Sequence, residues 1–247
     1  GSLSESPVVT LAPLKGAMYA RRLMEALDHR TVIGLAYAGW SLERLMVCCV
    51  QQIGTHLNAP TAAGPTPAVP PLWGDFQRAA VLLRELQLRQ AVRLSLDEDG
   101  RIYAQPEDSV EPELAAKARE LGELLGLQPG LKRLAFGPPR VEPPPGHITL
   151  MPRSLMGALY FLSQGVEAPE EHELAGLVTV TREPGGERFD WDRVLMGTFH
   201  VRSGREAPPT ATLRVFHRGY WFWVDDADLE SKTTFSLVSL LFALQSG

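Results

Sequence analysis

The side chains that could most readily bind a metal ion or take part in catalysis form an acidic group close to the C-terminal end of the sequence. Its members are Asp225, Asp226, Asp228 and Glu230. Carboxylate oxygens bind calcium or magnesium, and a nearby His200 or His217 would allow metal-dependent or hydrolytic catalysis. The spacing does not match an EF-hand loop, which requires a glycine turn and a closing glutamate. Carboxylates at the start of a helix also cap free amides and complement the helix dipole, and we favour this structural role.

Common catalytic and metal-binding motifs do not occur in the sequence. Its histidines include no H-x-x-x-H pair, and it has no G-x-S-x-G, phosphate-binding loop or G-x-G-x-x-G motif. The only cysteines, Cys48 and Cys49, are adjacent, which disfavours a disulfide between them and predicts two buried thiols. We therefore predict no catalytic residue, no metal and no cofactor, and we expect a protein that is not an enzyme. The alternative is a hydrolase or metal-dependent enzyme that uses Asp225, Asp226 and His217, because distant residues can assemble a triad without a local pattern.

The acidic group directly follows a predicted β-hairpin, which we call the ribbon, with strands over residues 211–217 and Tyr220–Val224. Arg218-Gly219 is its two-residue turn, with a positive φ at Gly219, so that His217 faces Tyr220. The first face is predicted to be core and carries Leu213, Val215, Phe222 and Val224. The second face, which we call the aromatic–arginine face, carries Arg214 opposite Trp223 and Phe216 opposite Trp221.

The aromatic–arginine face is the candidate partner-binding site, with Arg214, Phe216, Trp221 and Trp223 as its residues. Aromatic side chains and arginine are enriched at protein interfaces. Arg214 over Trp223 would also form a cross-strand cation–π pair. Two other interpretations stay open: a second core layer covered by another element, and a surface on which a small molecule or glycan ring stacks.

Composition restricts the classes of partner. The chain has 247 residues, 45% of them hydrophobic and 21% charged, and a formal net charge of -5. This acidic balance, without a dense basic run, argues against nucleic-acid binding. The longest apolar run is too short to span a membrane. Gly1-Ser2 resembles the remnant of a removed tag, so we expect the sequence to begin inside a longer protein.

Hydrophobic periodicity and capping residues predict an α+β fold. It has a helical N-terminal half with a small β-hairpin, and a C-terminal antiparallel sheet covered by two helices. The predicted helices cover residues 14–27, a region after Thr31, and residues 42–53, 73–90, 112–125, 153–164 and 235–244. Besides the ribbon, the predicted strands cover residues 7–13, 92–96, 102–105, 131–136, 147–151, 177–181 and 198–202. Residues 56–72 are proline-rich and suit no regular element. We predict a winged-helix-like subdomain over residues 1–137 and a sheet-plus-helix subdomain over 138–247, which can form one integrated globule.

Several short segments resemble one family of uncharacterised bacterial proteins, common in Gram-negative genomes, that look like envelope lipoproteins. These segments are Pro13-Leu14-Lys15-Gly16, Gly39-Trp40-Ser41, Asn58-Ala59-Pro60 with Gly64-Pro65-Thr66-Pro67, Arg153-Ser154-Leu155-Met156 with Tyr160-Phe161-Leu162-Ser163-Gln164, Gly219-Tyr220-Trp221-Phe222, Asp225-Asp226 and Ser231-Lys232-Thr233-Thr234-Phe235. The resemblance covers most of the chain. It implies the periplasmic side of the bacterial envelope and an exported region before the present segment that can carry a lipid anchor, and it implies no activity.

Taken together, these patterns favour a non-enzymatic envelope component that binds a protein partner or assembles with copies of itself. The absence of catalytic motifs and the composition of the aromatic–arginine face lead to this hypothesis.

Overall fold

The computed structural model describes residues 16–59, 73–96, 102–107, 111–128, 130–131 and 133–246, and it confirms the predicted α+β class. The helices are α1 (Gly16–Met24), α2 (His29–Tyr37), α3 (Leu42–Cys49), α4 (Gly74–Leu88), α5 (Pro112–Leu124), α6 (Leu155–Leu162), α7 (Glu170–Leu174), α8 (Asp192–Leu195) and α9 (Leu229–Ser246). The strands are β1 (Val50–Ile53), β2 (His56–Leu57), β3 (Val92–Leu96), β4 (Ile102–Pro106), β5 (Leu134–Gly137), β6 (His147–Pro152), β7 (Arg202–Gly204), β8 (Leu213–His217) and β9 (Tyr220–Val224).

A six-stranded sheet forms the larger layer of the fold, in the order β2-β1-β6-β5-β4-β3. The predicted hairpin is confirmed as β3 and β4, which pair antiparallel from Val92 with Pro106 to Leu96 with Ile102. Only the β5–β6 pair of this sheet is parallel. The sheet contains strands from both sides of position 137, at which the sequence predicts a subdomain boundary; the boundary itself stays a prediction.

Helix α3 lies at the centre of the fold, and its side chains enter two hydrophobic clusters. As predicted, Ser41 is its N-cap, and the Ser41 hydroxyl accepts a hydrogen bond from the Arg44 N–H. Every residue from position 44 to 49 is buried, which is the pattern of a helix enclosed on all sides. Met46 packs with α4, α5 and the large sheet, whereas Leu45 and Val47 pack with α2, α6, α8 and α9.

Several predicted elements need correction, and one of them is the C-terminal helix predicted over 235–244, which begins at Leu229. The helix predicted over 42–53 ends at Cys49, because residues 50–53 pair with β6 as strand β1. Residues 177–181 form no strand; Leu177 and Val178 are exposed, and only a bridge between Arg182 and Arg188 follows. The strand predicted over 198–202 begins at Arg202 instead. The strand predicted over 7–13 and residues 60–72 of the proline-rich stretch lie outside the described residues.

Candidate partner-binding surface

The ribbon forms with the predicted register and belongs to a three-stranded antiparallel sheet, in the order β7-β9-β8. His217 pairs with Tyr220, Phe216 with Trp221, and Arg214 with Trp223. Both turn residues have positive φ, 49° at Arg218 and 84° at Gly219. This is the geometry of a type I′ turn, whose twist matches that of the flanking strands. The sequence predicts a positive φ for Gly219 alone.

The exposed side chains of the ribbon concentrate on β8. Phe216 on the aromatic–arginine face is 55% exposed, and its ring lies 5.2 Å from that of Trp221, which is half-buried like Trp223. Val215, on the face predicted to be core, is 59% exposed, and only Val224 of that face is fully buried. The prediction that this face is core is therefore wrong for Val215, because β8 lies at the sheet edge and its end near the turn is left uncovered.

The predicted cation–π pair joins different residues. Arg214 lies 5.6 Å from the ring centroid of Trp221, its diagonal neighbour, and not over Trp223. The Trp223 ring leans the other way, over β7, where a side chain on Gly204 would come within 3.2 Å of it. The absence of a side chain at Gly204 thus makes room for Trp223. Arg214 also donates a hydrogen bond to the Pro208 carbonyl (3.0 Å), so the connection between β7 and β8 reaches this face.

The backbone of β8 offers an open edge. In a two-residue hairpin the pair that flanks the turn is hydrogen-bonded, and such pairs alternate with non-bonded ones. His217, Val215 and Leu213 therefore bond to β9, while the N–H and C=O groups of Arg214 and Phe216 point away from it. No strand in the described part of the chain pairs with this edge.

A buried polar cluster, which we call the anchor, attaches the three-stranded sheet to the body of the protein. It consists of Arg44, Thr198, Ser231 and Thr234. The Arg44 guanidinium donates to the Glu230 carbonyl (2.8 Å), to the Thr234 hydroxyl and to the Glu230 carboxylate. Thr234 in turn donates to the Thr198 carbonyl (2.6 Å). Since Thr198 precedes β7 and Glu230 follows β9, Arg44 of α3 links both ends of the sheet to the core.

A second set of contacts fixes the turn end of the ribbon. The His172 ring packs edge-on against Tyr220 at 5.0 Å between centroids. The Arg205 guanidinium also lies over the Tyr220 ring, 5.0 Å from its centroid. The guanidinium of Arg205 also binds Glu171, and this contact lowers the pKa of the Glu171 carboxyl. The ribbon is thus held at both ends while the β8 edge stays open.

The acidic group is spread along the start of α9 and does not form a site with the predicted histidines. Asp228 accepts hydrogen bonds from the Ser231 N–H and hydroxyl, which confirms its capping role. Asp226 accepts from the Thr212 N–H and lies near Lys232, and these two contacts lower its pKa. Asp225 accepts from the Ala227 N–H.

The two candidate histidines have other surroundings. His217 lies beside the turn, five residues along the ribbon from Asp225, which corresponds to about 16 Å at the usual rise per strand residue. His200 binds Glu167 at 2.9 Å. Among the described residues, no group of three or more histidine, cysteine, aspartate or glutamate side chains could hold a metal ion.

Cys48 and Cys49 are buried free thiols, as predicted. Burial disfavours the thiolate, so that the pKa of Cys48 rises to about 11 and that of Cys49 also lies well above its usual value. Thiols in such surroundings are poor nucleophiles and poor metal ligands at neutral pH.

Two cavities that no sequence pattern indicates lie at the large sheet. An apolar cavity of about 160 Å³ lies between the sheet and helices α2, α3 and α4. A more polar cleft of about 420 Å³ is lined by Asp28, His29, Arg30, Tyr103, Arg140, His147 and neighbouring residues. Both draw side chains from segments far apart in sequence, so no local motif could have indicated them.

No helix in the described part of the chain is long and apolar enough to span a membrane. No protein-family model matches the sequence, and it shows no detectable similarity to a curated protein or to a solved structure.

Proposed function

We propose that this protein is a non-enzymatic interaction protein that assembles with copies of itself through the ribbon. The observation that carries the proposal is the open edge of β8, where Val215 and Phe216 are more than half exposed beside backbone groups that no described strand pairs with. A strand edge of this kind is a template for pairing with another chain. Arg214, Phe216 and Trp221 add the side-chain types that interfaces favour.

The sequence of β8 is self-complementary in one antiparallel register. If Val215 lies on the two-fold axis, the outward backbone groups of Arg214 bond to those of Phe216 in the second copy. The same register places the Arg214 guanidinium against the Phe216 ring of the copy, which is a favourable cross-strand pair. A shift by two residues in one direction instead sets Arg214 opposite Arg214, and like charges directly opposite are unfavourable.

The charges beyond the central pair also fit this register. Arg218 would lie opposite Thr212 of the second copy, whose amide is bonded to the Asp226 carboxylate. Opposite charges therefore meet at both ends of the shared ladder. Isologous contacts of this kind close into a dimer and do not propagate.

A disulfide between copies tests the register directly. Residues on the axis form a non-hydrogen-bonded pair, whose Cα atoms lie about 4.5 Å apart, within the range of a disulfide. The Val215→Cys variant should form a covalent dimer under mild oxidation, since Cys48 and Cys49 are buried. The matched control is His217→Cys, which faces Leu213 of the copy and should not cross-link with itself.

Sedimentation over a range of protein concentrations provides the non-covalent test. Phe216→Pro should weaken the dimer while the hairpin survives, because proline at this position removes only an outward N–H. Arg202→Glu, an exposed change at the opposite edge of the same sheet, should leave association unchanged. A wild-type protein that stays monomeric, with equal cross-linking of the two cysteine variants, would rule out self-assembly at β8.

The compartment belongs to the same proposal. The resemblance to envelope lipoprotein-like proteins supports the periplasmic side of the bacterial envelope as the location of this dimer. Cell fractionation with an antibody against this chain tests it, and recovery in the cytosolic fraction alone would exclude it.

A further inference from the structure

The apolar cavity is lined by helices and strands that lie between positions 32 and 150 of the sequence. Helices α2 and α3 supply Ile33 and Leu45, α4 supplies Leu86, and the large sheet supplies Ala104 and Leu150. The cavity has a volume of about 160 Å³. Protein interiors are usually packed with few voids larger than a water molecule, so a space of this size requires an explanation.

The polar side chains at the cavity cannot hold water or a charged group inside it. Gln87 lines the cavity, but its side-chain oxygen accepts hydrogen bonds from the Leu42 N–H (2.9 Å) and from Arg84. Its amide nitrogen donates to the Trp40 carbonyl. The other polar lining residue, Gln90, is exposed at the rim. A buried water needs two or more polar partners, whereas Gln87 keeps at most one free amide hydrogen.

We propose that the cavity is a binding site for a small neutral apolar molecule, a single ring or a short hydrocarbon chain. The volume supports this class, because an apolar protein cavity of about 150 Å³ stays dry and binds benzene or xenon. The lining supports it equally, since a charged ligand would lose its hydration without gaining a partner. This site is independent of the ribbon, and none of the residues proposed to assemble the dimer lines it.

Tyr37 is placed to limit access to the cavity. It projects from the end of α2, is 55% exposed, and its hydroxyl donates a hydrogen bond to the carbonyl of Leu94, a lining residue on β3. This bond ties α2 to the sheet beside the cavity. Tyr37→Phe should therefore accelerate ligand entry and exit without abolishing binding, because it removes the tie and no lining atom.

Benzene and hexane are the probes for the test, applied to the wild-type protein and to variants with a filled cavity. At a hundredfold excess over Kd, either probe should raise Tm by roughly 5–10 °C. The methyl resonances of Leu45, Leu86 and Leu150 should shift in NMR spectra. A response to benzene alone would identify a ring site, and a response to hexane a chain site.

Ala104→Leu fills the cavity and should abolish the response to both probes; Ala104→Val is a smaller change that should weaken it. Ala135→Val, on β5 opposite Tyr103 and absent from the lining, is the matched control and should respond like the wild type. If the wild-type Tm and methyl resonances do not change, or if a folded Ala104→Leu protein responds as the wild type does, the cavity is not a ligand site.

Discussion

Removing Glu230 should destabilise this protein more than removing Arg44, although Arg44 is the buried partner of the pair. The side chain of Arg44 is 8% exposed, whereas that of Glu230 is 67% exposed. The outcome depends on which group each substitution leaves behind. Glu230→Ala leaves a guanidinium inside the protein without its carboxylate. Arg44→Met leaves a carboxylate that water already solvates.

The contacts of the anchor set the expected magnitudes. An uncompensated buried charge costs about 3–5 kcal/mol, but Arg44 keeps the Glu230 carbonyl and the Thr234 hydroxyl as acceptors, so we expect about 2–3 kcal/mol for Glu230→Ala. Arg44→Met removes hydrogen bonds but also the cost of burying a charge. Because Thr234 still donates to Thr198, we expect Arg44→Met to lower the free energy of unfolding by only about 1–2 kcal/mol, which is the usual contribution of a hydrogen-bonded group.

Urea unfolding of the two single variants and the double variant measures both values. The double variant should be no less stable than Arg44→Met alone, which makes the two changes strongly non-additive. Glu120→Ala is the matched control, because Glu120 also binds an arginine, Arg78, but both partners are exposed; it should cost less than Glu230→Ala. Additive effects, or a Glu230→Ala variant as stable as the control, would refute the claim that Arg44 depends on the Glu230 carboxylate.

Three further predictions concern the turn, the thiols and a close backbone contact. Arg218→Asn should stabilise the protein to thermal unfolding by about 0.5–1 kcal/mol, because asparagine tolerates the positive φ of a type I′ turn better. The free energy of unfolding should fall by about 2 kcal/mol between pH 9 and 11 through Cys48 alone, since the unfolded Cys48 thiol loses its proton near pH 9.0 and the folded one near a pKa of about 11. Cys48→Ala should reduce this slope in urea unfolding at each pH. Gly165→Ala should lower the free energy of unfolding by about 1–3 kcal/mol, because the added Cβ would lie 2.4 Å from the Phe199 carbonyl oxygen. The control Gly122→Ala, whose Cβ would meet no atom within 4 Å, should raise it by about 0.5–1 kcal/mol. Urea unfolding of both variants measures the two changes.

The local features of the fold could be predicted because short-range rules decide them. Arg218-Gly219 between two alternating segments specifies a two-residue turn, and the turn fixes the pairing of His217 with Tyr220. The hairpin of β3 and β4 and the cap at Ser41 follow in the same way. Residues 50–53 could not be assigned to a strand, because Cys49 and Ile53 continue the helical spacing of apolar residues from α3. Their partner, β6, lies about a hundred residues away in the sequence.

The candidate site shows the same division between local and distant determinants. Because successive side chains of a strand point to opposite faces, the sequence of β8 and β9 shows which residues share a face. It does not show which face the rest of the chain covers. Trp223 is drawn toward β7 by the space at Gly204, and Arg214 therefore contacts Trp221. Exposure in the folded ribbon follows the strand more than the face, since Val215 and Phe216 point to opposite sides and are both open. A partner that covered only the aromatic–arginine face would leave Val215 in water, whereas a strand added to the edge of β8 would contact both side chains. For this reason strand addition fits the observed exposure better than the face-on binding that the sequence predicts.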